Sequence, residues 1–428
     1  MDEEREKHSG ESDEDELETL VPSPFPRTSS VAETEADDQK DVETAVPEPV
    51  PARRARRLGR AAVRTGLALV SVSALAVTGY AFVTKDRLQE TVHTTEALTQ
   101  PGEPAPPADD GGTDILLVGS DARTDAQGNP LPANLLKKLR TEEKPGVNTD
   151  TIIILRVPNN GGTPTGISIP RDAWVDVPGR GKTKINSAYG VAKANYANEQ
   201  RAKGVTDQAA IERDSDQAGR KVLVQTVQDF TQLRIDHYAE VNLLGFYLLT
   251  EALGGVKVCL NHSTSDADSG ADFRAGPQTV SGGEALSFVR QRKNLPHGDL
   301  DRIVRQQAFL SSALNQVLSA GTLTSPSTLS GLVDAVHRSI VLDAGLDLLD
   351  FANQVKGIAS GDMKFVTIPV VNINGRSEDG QSIVEVDPAA VRQFIAGLAG
   401  RTTLSGGGGS SGGAAQAVAP AAGVTCVN

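Results

Sequence analysis

Between Arg64 and Lys85 the chain carries no charge. The intervening run, Thr65–Thr84, consists of twenty Gly, Ala, Leu, Val, Ser, Thr, Tyr and Phe residues. A helix of that length spans about 30 Å, the thickness of a bilayer core. Six arginines precede it (Arg53, Arg54, Arg56, Arg57, Arg60, Arg64), and only Lys85 and Arg87 lie close behind. The positive-inside rule then predicts a cytoplasmic N-terminus and an extracytoplasmic 85–428. The run lies too deep in the chain for a signal peptide, and no small-residue cleavage site follows it cleanly. The expectation is a single-pass protein of the cell membrane, with one N-terminal transmembrane helix over 65–84.

The charge is unevenly placed. Residues 1–50 hold 17 acidic and 4 basic residues, which accounts for the whole net charge of −13. The rest of the chain is balanced, so the acidity says nothing about the ligand of the folded part. With one aromatic, Phe25, the first 50 residues cannot bury enough apolar surface to fold. The predicted order is a disordered acidic tail ending in a basic juxtamembrane stretch (1–64), the span (65–84), a Pro/Gly-rich linker (85–112), one folded block (113–402) and a flexible Gly/Ser/Ala-rich tail (403–428). The block is near the upper size for a single core.

Within the block, Asp114–Gly119 and Thr151–Val157 read as buried strands, being short, β-branched and continuously apolar. Further strands are predicted at 165–170, 237–242, 255–260, 364–370 and 383–387. Helices are predicted near 217–232, 242–253, 282–291, 300–319, 346–358 and 388–399. Ser281 and Glu284 have the spacing of a capping box, and Asp299 that of an N-cap. Interleaved strands and helices imply an α/β fold with helices on both faces of the sheet. The order does not strictly alternate, so the sheet should be mixed.

Residues 290–305 concentrate the chemistry: Arg290, Arg292, Arg302 and Arg305, with Lys293, Asp299 and Asp301. Guanidinium groups bind phosphate in a forked, bidentate manner. Arg302 and Gln306 share one helical face by their i, i+4 spacing. Arg305 fits an ordinary amphipathic-helix charge, and Arg290 and Arg292 could serve a helix dipole. Together, though, Arg290, Arg292 and Arg302 repel unless an anion lies among them. Upstream, Asp121 follows the first strand and Asp150 opens the next. If those strands are antiparallel neighbours, both carboxylates share one sheet edge and suit Mg²⁺ completed by substrate phosphates. The simpler reading of each alone is a loop cap. Arg171 and Asp172 leave another strand beside the single Trp, Trp174, and Lys182 and Lys184 lie on a following loop.

Several classes are excluded. There is no Gly-x-Ser-x-Gly, no P-loop and no zinc motif, and the six histidines form no partner pattern. Balanced charge and few aromatics argue against nucleic acid. Cys259 and Cys426 are 167 positions apart. Either one disulfide ties the tail to the core, or two thiols stand free, and spacing cannot decide.

Taken in order, Leu116–Arg123 (Leu-Leu-Val-Gly-Ser-Asp-Ala-Arg), Thr149–Ile154, Ser168–Val175 (Ser-Ile-Pro-Arg-Asp-Ala-Trp-Val), Lys184–Tyr189, Asp236–Val241, Ala252–Cys259 and Val289–Gln307 resemble the successive motifs of the LytR–CpsA–Psr family. The resemblance is dense over 114–320. It implies a three-layer α/β/α fold with a mixed central sheet and a lipid-accommodating pocket. It implies a Mg²⁺-dependent phosphotransferase that moves a glycopolymer from a polyprenyl-pyrophosphate carrier onto peptidoglycan, beside membrane lipid. Carried over, Asp121 and Asp150 would bind Mg²⁺. Arg171, Arg290, Arg292 and Arg302 would hold the pyrophosphate with Lys184 and Gln306, and Arg171 and Arg302 would stabilise the reacting phosphate. Asp299 would be the general base. Many relatives have a second cysteine where this chain has Pro277, which by the resemblance favours Cys426 as the partner for Cys259 and leaves intermolecular pairing as the alternative. Two alternatives use the same residues or the tail: a polyprenyl-pyrophosphate hydrolase, in which water replaces the sugar acceptor, and a non-catalytic envelope scaffold or regulator.

Overall fold

Two runs of continuous apolar residues build the centre of the molecule. In Gly112–Ser120, Ile115 and Leu117 alternate with Leu116 and Val118, so each set points to an opposite face. A strand apolar on both faces must be covered on both. The computed structural model describes residues 93–98, 105–107, 111–142, 146–317, 319, 325–346, 363–400 and 425–428. All belong to one compact unit, 71–428.

In chain order the strands are β1 (His93–Thr95), β2 (Gly112–Ser120), β3 (Thr149–Pro158), β4 (Thr165–Ser168), β5 (Trp174–Val177), β6 (Gly181–Lys184), β7 (His237–Val241), β8 (Val256–Leu260), β9 (Thr264–Asp266), β10 (Ala271–Phe273), β11 (Gly276–Val280), β12 (Ile340–Asp343), β13 (Lys364–Thr367), β14 (Asn372–Arg376), β15 (Ser382–Glu385) and β16 (Cys426–Val427). The described helices are α1 (Ala133–Lys138), α2 (Ser187–Ala202), α3 (Gln208–Thr231), α4 (Leu243–Ala252), α5 (Gly282–Arg290), α6 (Asp299–Val317), α7 (Pro326–Ser339) and α8 (Pro388–Leu398).

Seven strands form the main sheet in the order β1-β12-β7-β2-β3-β4-β13. The pairs β1/β12, β7/β2 and β4/β13 are parallel, while β12/β7, β2/β3 and β3/β4 are antiparallel. The sheet is therefore mixed, as the interrupted alternation of elements implies. One face packs Leu116, Val118, Ile152, Ile154 and Ile167 on Tyr189 of α2, Leu223 and Val227 of α3, and Val391 and Ile395 of α8. The other packs Ile115, Leu155, Val157 and Phe365 against Leu310 and Leu314 of α6. The helix ends follow side-chain chemistry. Asp207 accepts from the Ala210 N–H (3.0 Å) and Asn242 from the Gly245 N–H (2.9 Å), each satisfying a free donor at a helix start.

Several expectations are corrected. Ser281 occupies the N-cap of α5, but its hydroxyl makes no capping hydrogen bond. Only backbone N–H groups of Glu284 and Ala285 reach its carbonyl. Asp299 is the first residue of α6 rather than a cap before it. Within the predicted linker, His93–Thr95 adds an edge strand beside β12. Within the predicted tail, Cys426–Val427 pairs with β8. Both strands are too short to show a pattern; their partners define them. The predicted helix at 346–358 lies almost wholly outside the described residues, as does the span at 65–84. Among the described residues no helix is long and apolar enough to cross a membrane.

Candidate functional site

The C-terminal end of β2 and the start of β3 meet because the strands are antiparallel, with Ser120 opposite Thr149. This brings Asp121 and Asp150 to one edge of the sheet. The Asn148 N–H donates to Asp121 Oδ1 (2.7 Å), and the Asp121 N–H returns to the Asn148 carbonyl (3.0 Å). The turn before β3 is pressed on α2 at Gly190, where a Cβ would lie 1.9 Å from the Val147 carbonyl oxygen, so no other residue fits there. The Asp121 carboxyl is raised from its ordinary value, by burial first and also by the charge of Asp150, although the Asn148 N–H and Arg123 pull the other way.

Pro170 ends the stretch after β4 and delivers Arg171 to the same edge. Arg171 Nη1 donates to Asp150 Oδ1 at 2.5 Å. Its Nε lies 3.6 Å from Asp172 Oδ2 and 3.9 Å from Asp299 Oδ1. Asp172 is shared further, with Lys184 Nζ at 3.2 Å and Arg292 Nη2 at 3.6 Å. Asp299 lies 2.8 Å from Arg302 Nη2 and 3.3 Å from Arg292 Nε. Burial pushes Arg302 down to about 10, with repulsion from Arg171 and Arg292 adding to it and Asp299 opposing it. Burial lowers Arg290 too, against the pull of Asp150 and Asp121.

The contacts around Asp299 are ion pairs by distance but misaligned as hydrogen bonds. Neither Asp299 oxygen, nor Arg171 Nε, nor Arg302 Nε or Nη2 completes one, and all are buried. Buried polar atoms of this kind are rarely left unpaired. A cavity of about 480 Å³ opens here, lined by Arg290, Arg292, Gly298 and Asp299 together with Asp266, Asp268, Ser269 and Lys293. Its walls suit phosphate and sugar rather than hydrocarbon. Partly buried leucines lie farther along α6. From Arg302 to Leu310 is about 12 Å of helix, and there Leu310, Leu314, Leu117 and Leu346 are only partly buried around Ile115, Leu155 and Phe365.

Of the residues singled out from sequence, Asp121, Asp150, Arg171, Lys184, Arg290, Arg292, Asp299 and Arg302 gather at this edge. Gln306 is turned aside: its Nε2 donates to the Val289 carbonyl (3.2 Å), supporting the end of α5. Cys259 and Cys426 form a disulfide on the small β11-β8-β16 sheet, with Cα atoms 4.3 Å apart. Two neighbours were underrated. Asp172 is the shared counter-ion of three cations, and Arg123 braces Asp121 through its carbonyl (2.8 Å). Each lies within two residues of a site residue, in the same motif. Arg305 is no surface charge but is wholly buried.

The donor set at Asp121 and Asp150 fits a divalent cation of the magnesium type. The repulsion that Asp150 exerts on Asp121 would be relieved by it, with water and phosphate as the remaining ligands. Among the described residues no three His, Cys, Asp or Glu gather as a complete metal cage.

The site is thus a cationic, incompletely paired edge of the sheet in an α/β domain. The chain belongs to the LytR_cpsA_psr family, whose model matches residues 73–399. It is 46% identical over 344 residues to the cell wall biosynthesis protein LcpA of Corynebacterium glutamicum, covering 79% of this chain and 66% of that protein. It is 32% identical over 201 residues to the polyisoprenyl-teichoic acid–peptidoglycan teichoic acid transferase TagU of Oceanobacillus iheyensis, covering 47% of this chain and 55% of that one. The chain thus spans between about half and two thirds of the length of these curated relatives. A crystal structure from Streptococcus agalactiae matches the fold at TM-score 0.50 and 21% identity, over 68% of this chain and 88% of that one.

Proposed function

We propose that this protein is a membrane-anchored phosphotransferase, which moves a glycopolymer from a polyprenyl-pyrophosphate carrier onto peptidoglycan outside the cell. The observation that carries the reading is the group of Arg171, Arg302 and the more exposed Arg292 around Asp299, in which both Asp299 oxygens, Arg171 Nε and Arg302 Nε and Nη2 are buried without hydrogen bonds. A pyrophosphate diester brings two charges and many acceptor oxygens to such a site. The names of the LcpA and TagU relatives, cell wall biosynthesis and teichoic acid transfer, support the same class. Helix α6 supports a lipid-linked donor, since it carries Arg302 at one end and the partly buried Leu310 and Leu314 beyond it.

In this reading the acceptor sugar hydroxyl attacks the glycopolymer-side phosphorus. The bond from that phosphorus to the bridging oxygen breaks, polyprenyl phosphate leaves, and a phosphodiester joins polymer to wall. Asp299 accepts the hydroxyl proton. Arg171, Arg290, Arg292 and Arg302, with Lys184, hold the diphosphate and offset charge as it shifts to the leaving group. Asp121 and Asp150 would hold Mg²⁺, which supplies further neutralisation of phosphate charge. The predicted span at 65–84 would keep the site beside a substrate confined to the bilayer, raising its effective concentration.

The test is product analysis. The purified protein is incubated with a polyprenyl-pyrophosphate-linked glycan, Mg²⁺ and peptidoglycan. Polyprenyl phosphate should appear together with glycan bound to the wall through phosphate. Lipid release without attachment would replace transfer by hydrolysis, and no turnover in any arm would sink the enzymatic reading.

A further inference from the structure

Arg290 and Arg292 flank a residue that cannot touch substrate. Gln291 is fully buried. Its Nε2 donates to Thr264 Oγ1 (2.6 Å) and to the Lys293 carbonyl (3.0 Å), and its Oε1 accepts from Arg305 Nη1 (2.7 Å). Arg305 stands one turn beyond Arg302 but is wholly buried, with its guanidinium 5.2 Å from the centre of the Phe288 ring. Burial pushes it down to about 10, although Asp301 opposes this. The Arg305 Nε donates to the backbone oxygen of Asn428. Asn428 is held in place in turn: Cys426 is bonded to Cys259, and the Asn261 N–H donates to the Val427 carbonyl (2.8 Å). The Val427 side chain is buried in the core beneath β8.

We propose that Gln291 and Arg305 are positioning residues that set the spacing and direction of Arg290 and Arg292, and that the strand at 425–428 is the clamp holding them. The inference rests on the diphosphate reading of the arginine site. A buried cation is expensive to keep without a carboxylate partner. Arg305 has no ion pair with an Asp or Glu side chain among the described residues; its bonds go to the Gln291 amide side chain and to a backbone oxygen of Asn428, and these fix its direction. The loop it braces is bolted at its other side as well. Asp266 accepts from the Arg292 and Lys293 N–H groups (3.4 Å each), and Asn294, in a left-handed conformation at φ 61°, donates to the Ser265 carbonyl (2.6 Å). Arg292 thus reaches Asp172 and Asp299 from a backbone fixed on two sides. Displacing a site group by about 1 Å can cost up to a hundredfold in rate, and supporting contacts of this kind decide whether such a site is tight.

The test uses the full-length protein in detergent micelles with geranyl pyrophosphate and Mg²⁺ as the probe. Binding is measured by calorimetry and loop protection by hydrogen exchange. Gln291→Met and Arg305→Met should each bind about tenfold more weakly. Exchange should quicken at the Arg292 and Lys293 amides while those of β2 and β3 stay protected. Reducing the disulfide should loosen the same amides in the wild type, yet add nothing in Arg305→Met, since both act through one linkage. Arg305→Lys keeps the buried cation but cannot bridge both partners. It should share the phenotype if the methionine variant does not fold. Wild-type binding and unchanged loop exchange in Gln291→Met and Arg305→Lys would overturn the proposal, as would exchange quickened evenly across the domain. If the wild type itself fails to bind the probe and Arg302→Met changes nothing, the diphosphate reading falls. The exchange arm then still decides the positioning role.

Discussion

The chain keeps two dense clusters of charge, one beneath the sheet around Glu240 and one at its edge around Asp299, and they are finished differently. In the first, Glu240 accepts from Arg220 Nε (2.8 Å), the Tyr238 hydroxyl (2.9 Å) and Ser120 Oγ (3.0 Å). Lys193 pairs with Asp216 (2.7 Å) and Glu212 (2.5 Å), and the Tyr189 hydroxyl donates to Asp216 (2.7 Å). Burial alone would raise Glu240, but Arg220 and these hydrogen bonds hold it below its ordinary value. No polar side-chain atom of this cluster is left buried without a partner. At the edge, Arg123, Arg171, Lys184, Arg290, Arg292 and Arg302 gather around Asp121, Asp150, Asp172 and Asp299, with Asp266 and Asp268 also lining the cavity, and several buried polar atoms stay unpaired. A closed network is part of the architecture, whereas a cationic, incompletely bonded one is what the proposed diphosphate substrate would complete.

Breaking the closed network should have the largest effect. Arg220→Met leaves Glu240 buried without its cation and should cost about 3–5 kcal/mol of stability, read as a lower denaturant midpoint. The matched change at the edge, Arg302→Met, should leave that midpoint level or higher, because it removes a buried and partly unsatisfied charge. Its cost should appear in transfer, which should fall by about 10²–10³. Similar stability losses in both variants would erase the contrast between the clusters. Asp299→Asn is the finer test. It keeps the shape and removes the proposed base, so turnover should drop by about 10² while donor affinity holds or tightens. Weaker donor binding at unchanged turnover would make Asp299 a scaffold for the arginines instead.

The edge was the more legible of the two in sequence. Continuous apolar runs mark β2 and β3, and their ends place Asp121 and Asp150; the density of arginine marks 290–305. The closed network hides in an inverted alternation. In β7, Tyr238 and Glu240 point inward, where a strand pattern expects aliphatic residues. Helix α2 is equally obscure, because its buried residues are Ala188, Tyr189, Lys193 and Ala197 rather than a leucine stripe. Arg305 reads as a solvent-facing charge because nothing local announces that Gln291 and a strand more than a hundred residues later will cover it. Asp299 has the spacing of a cap, and only the arrival of Arg171 from another part of the chain turns it toward the site.

Asp121 sharpens the comparison with the smallest effect and the clearest sign. Burial, with the charge of Asp150, raises its carboxyl in the folded state. A folded value above the unfolded one means its contribution to stability is fully present at low pH and is lost as pH rises through the raised value. At neutral pH the ionised carboxylate therefore works against folding, the reverse of Glu240, whose lowered value gives stability above the unfolded range and loses it in acid. Asp121→Asn should be the more stable protein at pH 7, by roughly 0.5–2 kcal/mol. The gap should close as the pH drops below about 4, where both states of the wild type are protonated. Added Mg²⁺ should raise the melting temperature of the wild type, by favouring the ionised pair, and leave Asp121→Asn where it was. A substituted protein that melts lower at pH 7, or that still gains from Mg²⁺, would mean that the edge carboxylate is already satisfied by its own chain, and the two clusters would differ in position alone.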